Sequence, residues 1–190
     1  MKNNKFASFI KEAFYMTKET WEIPKSAKPR LARRLALTGI TASVYTVLSL
    51  FFPYLAYGQI QCRFSEVLNL LAFINPVFAP GIILGCFITN LFSPFPLDWL
   101  FGTLATAAAM FCITRTKRLI IASLWPTAFM FAVGAQVMIY IPEIEIGFAS
   151  FVVTTLGCMA GEFVAMTVIA VPLFTYLIRN KRFLRFLLEQ

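Results

Sequence analysis

Residues 36–57, ALTGITASVYTVLSLFFPYLAY, hold no charged side chain and, wound as helix, are long enough to cross roughly 30 Å of hydrocarbon, which takes about 20 residues. Working outward, apolar runs of similar character recur as far as residue 178. The whole chain of 190 residues is 59% hydrophobic, 16% aromatic and only 14% charged, too apolar for an ordinary soluble domain. The expectation is an all-α integral membrane protein, with six transmembrane helices in one bundle.

The expected spans cover residues 36–57, a short helix over 64–75, a third helix ending near Phe92, and then 97–114, 119–141 and 147–178. The second, at about 17 Å, is short for a full crossing and is expected to sit obliquely or to span only part of the bilayer. Asn75-Pro76 and Ala79-Pro80 break and restart the chain, because proline suits a helix start and disfavours helix in its predecessor.

The net charge of +8 is informative through its placement. Lys2, Lys5, Lys11, Lys18, Lys25, Lys28, Arg30, Arg33 and Arg34 precede the first span. Arg115, Lys117 and Arg118 form a second basic cluster, and Arg179, Lys181, Arg182 and Arg185 a third. The positive-inside rule assigns all three to the cytoplasm, with both termini inside. Three parts follow: a basic arm over 1–35 lying on an anionic leaflet, a membrane domain over 36–178 and a basic tail over 179–190. No nucleic-acid partner is called for.

Composition also excludes chemistry. There is no histidine, so no imidazole base or metal ligand. Cys62, Cys86, Cys112 and Cys158 form no C-x-x-C pair and are expected to pack as small apolar residues. No phosphate-binding loop of the G-x-x-x-x-G-K-[ST] type is present, so any ATP-driven step falls to a partner chain. A membrane enzyme is disfavoured, and no cofactor or metal is expected.

Polar groups at membrane depth are costly and tend to be kept for a ligand, an ion or a buried partner. Arg63 and Glu66 stand three apart at the start of the second helix, with Gln59 and Gln61 before them and Asn69 one turn after. One reading is an interfacial Arg63–Glu66 pair that caps the helix; the other is a polar wall that aligns a planar, hydrogen-bonding solute. Glu162, midway along the last span, needs a partner or a proton. A pair with Arg63 and direct contact with a cationic or donor-rich solute are both open. Asn90 and Gln136 read as interhelical amides and Asp98 as a helix-start residue. Small residues recur four apart, at Gly39 and Ser43, Gly81 and Gly85, Ala105 and Ala109, and Gly157 and Gly161, which favours close helix packing. Gly39 and Ser43 lie near the cytoplasmic end, where a membrane partner can dock.

The run YGQIQCRFSEVL over 57–68, then Pro80-Gly81 with Gly85-Cys86 and Asn90-Leu91, and Leu97-Asp98 followed by Phe101-Gly102-Thr103-Leu104-Ala105-Thr106, resembles the QueT family. The likeness is fullest over 36–114. It implies a substrate-binding S component of an energy-coupling-factor transporter, capturing a queuosine precursor, a 7-deazaguanine base, from the outer face. It implies two kinds of partner, a membrane coupling (T) protein and two cytoplasmic ATPases. Carried over residue by residue, substrate contact falls on Gln59, Gln61, Arg63 and Glu66, and the alanine pair used for coupling is represented by Gly39 and Ser43. A guanine-like base offers adjacent N–H donors that suit a carboxylate, Glu66 or Glu162, and a carbonyl that suits an amide or arginine donor. An S component for another vitamin-like solute would share this architecture. A non-transport scaffold would need only the small-residue faces.

Overall fold

The computed structural model describes residues 8–9, 11–13, 15–18, 31–52, 62–140 and 148–188. Gln59 and Gln61 lie outside the described residues.

The first helix, α1, runs Leu31–Phe51 and so begins about a turn before the apolar run, taking Arg33 and Arg34 into its first turns. Leu37, Thr41, Ala42, Tyr45 and Ser49 form its buried stripe, at the spacings of three and four that define one helix face. Its other face is apolar and uncovered, with Ile40, Val44, Val47 and Phe51 exposed. A surface of that composition suits lipid, not water.

Helix α2, Phe64–Ile74, opens as a 3₁₀ turn over Phe64–Leu68 and continues as α-helix over Asn69–Ile74. Leu70, Ala72, Phe73 and Ile74 are all buried, so this short helix is enclosed on most sides by the others. Asn75 is extended, its Oδ1 accepts from the Val77 N–H at 3.2 Å, and Pro76 starts the next turn. Helix α3, Pro76–Asn90, follows as the Asn-Pro signal predicts.

Helix α3 packs on α1 through Gly81 and Gly85. A Cβ on Gly81 would lie 2.7 Å from Thr41 Cβ and 2.8 Å from the Thr38 carbonyl oxygen; on Gly85 it would lie 2.7 Å from Tyr45 Cβ and 2.9 Å from the Ala42 carbonyl oxygen. Only the missing side chains let these backbones approach so closely.

Helix α4 spans Asp98–Arg115. The expected single helix over 119–141 is two, α5 at Leu119–Phe129 and α6 at Phe131–Tyr140. Pro126 lies inside α5 and removes a backbone donor. The Met130 N–H is shared between the carbonyls of Pro126 and Thr127, at 3.2 and 3.3 Å, and the chain breaks there. Helix α7, Phe148–Ile178, contains a π-helical stretch over Val164–Ala170, which ends two residues before Pro172. The wider turn accommodates a proline ring that would clash with the carbonyl four residues back in regular helix. The tail forms a further short helix, α8, Lys181–Leu188.

Leu31–Phe51, Leu119–Gln136 and Phe148–Ile178 are long and apolar enough to cross a bilayer, and Phe64–Ile74 and Pro76–Asn90 are apolar but shorter. The chain is an all-α, multi-pass membrane protein. Basic groups gather at one end. There Lys18 donates from Nζ to the Thr114 carbonyl at 2.7 Å and lies over the Phe73 ring. Thr17 bridges to Arg118, Asn75 donates to the Leu187 carbonyl at 2.9 Å, and Arg179 pairs with Glu12. The described part of the basic arm is thus packed on the bundle, with Ala13 and Met16 buried.

Candidate functional site

At the opposite end the start of α2, the end of α3 and the start of α4 converge. Arg63 is extended just before α2, and its carbonyl accepts from the Glu66 N–H at 3.1 Å to close the first 3₁₀ turn. Three residues per turn places Arg63, Glu66 and Asn69 one above another on a single face. A regular α-helix would fan them out. All three are buried.

The ion pair of Arg63 is with Asp98, Nη2 to Oδ2 at 3.1 Å, and its Nη1 donates to Asn90 Oδ1 at 2.8 Å. Asn90 in turn donates to Cys86 Sγ at 3.3 Å, and Cys86 lies 3.1 Å from Thr106 Oγ1. Asp98 is therefore both the first residue of α4 and a wholly buried counter-ion. Gly102 makes the room: a Cβ there would lie 2.6 Å from Asn90 Nδ2 and 3.1 Å from Asp98 Oδ1.

Glu66 accepts from the Tyr45 hydroxyl on one oxygen and from the Asn69 amide on the other. Beside it Ser49 donates to Ser65 Oγ at 2.6 Å. Tyr45 was missed as a site residue at the sequence level. Its signal is position, a tyrosine in the middle of a span instead of at the interfacial belt.

Glu162 on α7 has no exposed surface, and neither of its oxygens accepts a hydrogen bond from the described residues. Buried Gln136 on α6 neither donates from Nε2 nor accepts on Oε1 among the described residues, so of the two amides read as interhelical bonders Asn90 alone fills that role there. Asn69 Oδ1 and Asp98 Oδ1 are also unmatched. Buried polar atoms are normally satisfied, and unmatched ones call for an explanation.

Arg63, Glu66 and Glu162 line one cavity of about 20 Å³, together with Thr106 of α4 and with Met130 and Val133 at the α5–α6 break. That is room for about one water, far less than a fused bicyclic base. A larger groove, about 300 Å³, lies among α1, α2, α7 and α8, lined by apolar side chains such as Ile40, Val44 and Phe183 with Thr41 as its one polar group. It offers a polar solute almost nothing to bond. The small cavity is the candidate site, and it must open to be filled.

On the outer face of α1, Gly39 has open space around it, and Ser43 is exposed with its hydroxyl turned back to the Gly39 carbonyl at 2.9 Å. Among the described residues no group of three or more metal-binding side chains occurs.

The family model described as QueT transporter matches residues 35–179, from the first turns of α1 to the end of α7. The chain belongs to the QueT transporter family. A relative from Lactococcus lactis subsp. cremoris, named queuosine precursor transporter QueT, is 36% identical over 69 residues, which is 35% of this chain and 41% of the relative. The chain thus matches less than half the length of that QueT relative. No solved structure matches it.

Proposed function

We propose that the protein is the substrate-capture S component of an ATP-driven importer of the energy-coupling-factor type, taking a queuosine-precursor 7-deazaguanine base from the outer face and delivering it inward. Family membership and the name of the Lactococcus relative support the substrate class. The single observation that carries the site is that buried Arg63, Glu66 and Glu162 line one small cavity. The Arg63 guanidinium and the Glu66 carboxylate, one turn apart, suit the carbonyl and the adjacent N–H donors on the edge of a guanine-like base. Gln59 and Gln61 join this contact from the preceding residues, and Asn69 holds the Glu66 carboxylate in place.

Six crossings place both termini and the basic end of the bundle in the cytoplasm, leaving the cavity toward the outer side. With no phosphate-binding loop in the chain, energy comes from two cytoplasmic ATPases through a membrane coupling protein, which docks on α1 around Gly39 and Ser43. No catalytic role is assigned to any residue.

Equilibrium binding to the detergent-solubilised protein tests this. Submicromolar affinity for a 7-deazaguanine, with guanine much weaker, is expected. Binding of riboflavin, thiamine or biotin instead would keep the architecture and discard the substrate, and binding of none of them would discard the capture role.

A further inference from the structure

The apolar groove beside α8 suits neither water nor a polar solute, yet its course through the bundle is specific. It has a volume of about 300 Å³, and its walls come from α1, α2, α3, α7 and α8. Along α1 it runs from Leu37 to Val44, a rise of about 10 Å, and it begins one turn beyond Arg33 and Arg34. The charge-free run over 36–57 centres at about residue 46, so the groove lies in the half of the membrane on the basic side, within the roughly 15 Å of hydrocarbon that one leaflet contributes. Ile40 and Val44 line it and are exposed on the lipid face of α1, so it opens sideways to the bilayer. Helix α8 stands at the basic end. Phe183 and Leu187 line the groove there, the Asn75 amide donates to the Leu187 carbonyl at 2.9 Å, and Lys181, Arg182 and Arg185 are exposed on the other side of the helix. Arg33 and Arg34 are exposed as well, and neither α1 nor α8 contains an acidic residue.

We infer that the groove seats one acyl chain of an anionic phospholipid from the leaflet on the basic side, with the lipid phosphate held by the basic groups at the start of α1 and on α8. A chain of that leaflet descends from the headgroup layer toward the membrane middle, which is the course and the depth of the groove. Its methylenes ask nothing of walls that offer no donor or acceptor beyond Thr41. The charge at the entrance selects the headgroup, because basic side chains at a membrane surface attract anionic lipids and leave zwitterionic ones nearly indifferent. The groove face of α1 is separate from the face of Gly39 and Ser43, since each residue turns the helix by about 100°; a lipid in the groove and a protein on that other face do not compete. The lipid site is independent of the solute proposed above.

The test titrates the detergent-solubilised full chain with phosphatidylglycerol and with phosphatidylcholine of the same acyl chains, counting bound lipid by native mass spectrometry. The wild type is expected to retain one phosphatidylglycerol, at least tenfold more tightly than phosphatidylcholine. Replacing Lys181, Arg182 and Arg185 together by Gln is expected to weaken phosphatidylglycerol at least fivefold and to leave phosphatidylcholine within about twofold. Val44→Trp, which fills the groove from its exposed side, is expected to weaken both lipids at least tenfold. Equal wild-type affinities for the two lipids, or no retained lipid, would overturn the proposal without any variant being needed. Lipid binding unchanged in Val44→Trp would place the lipid elsewhere and overturn it too, and if that variant at the same time lost a co-purifying coupling protein, the groove would belong to the protein partner instead.

Discussion

At the scale of single residues, the candidate site contains side chains that hold the frame and side chains proposed to meet a solute. Asp98 and Asn90 hold Arg63, and removing one partner of a buried ion pair costs about 3–5 kcal/mol because it strands the other. Asp98→Ala is therefore expected to lower thermal stability in detergent by that order, measured by thermal unfolding. Gly102→Ala puts a methyl 2.6 Å from the Asn90 amide and is expected to destabilise by about 1–3 kcal/mol, the usual range for overpacking. For Glu66→Gln the expectation is a folded protein whose affinity for the base drops at least tenfold, about 1.4 kcal/mol, through loss of a charged acceptor; unchanged affinity in an equilibrium titration would remove Glu66 from the contact. Arg63, Glu66, Asn69 and Glu162 stood out in the sequence as candidates because ionisable and amide groups are rare in apolar spans, and the structure buries all four. Asp98 as the partner of Arg63 was not, since 35 residues separate them and no spacing rule reaches across two helices and a turn. Tyr45 was hidden among many aromatic residues for the same reason.

At the scale of elements, glycine position decides which helices touch. Gly81 and Gly85 on α3 meet α1 backbone, and Gly39 on α1 meets nothing within 4 Å. Gly85→Ala should lower the melting temperature in detergent, because the two helices must move apart. Gly39→Ala should leave it unchanged or raise it slightly, since alanine favours helix by about 1 kcal/mol over glycine. The small-residue pairs were visible in the sequence, but which of them face a neighbour was not. The break at Met130, four residues after Pro126, was also missed. Both residues line the cavity, and if the site opens at this break the α6 wall would swing away. Pro126→Ala restores the backbone donor and is expected to slow base binding several-fold in stopped-flow measurements; an unchanged rate would place the opening elsewhere.

At the scale of the whole molecule, the charge pattern and the apolar exterior were readable from composition, and the structure gathers the basic clusters at one end with the buried polar site near the other. The packing of Ala13, Met16 and Lys18 onto the ends of α4 and α5 was not readable, because the arm looks like a uniform solvated basic stretch. If α1 is the coupling face, Gly39→Leu should abolish co-purification with a coupling protein and leave base affinity within about twofold; retained co-purification would move the docking surface elsewhere. The most direct measurement of the central claim is a structure solved with a 7-deazaguanine base bound. The base is expected in an opened form of the cavity, its carbonyl and N–H edge against Arg63 and Glu66, beside Glu162. A base seated away from all three, for instance in the apolar groove among α1, α2, α7 and α8, would contradict the account.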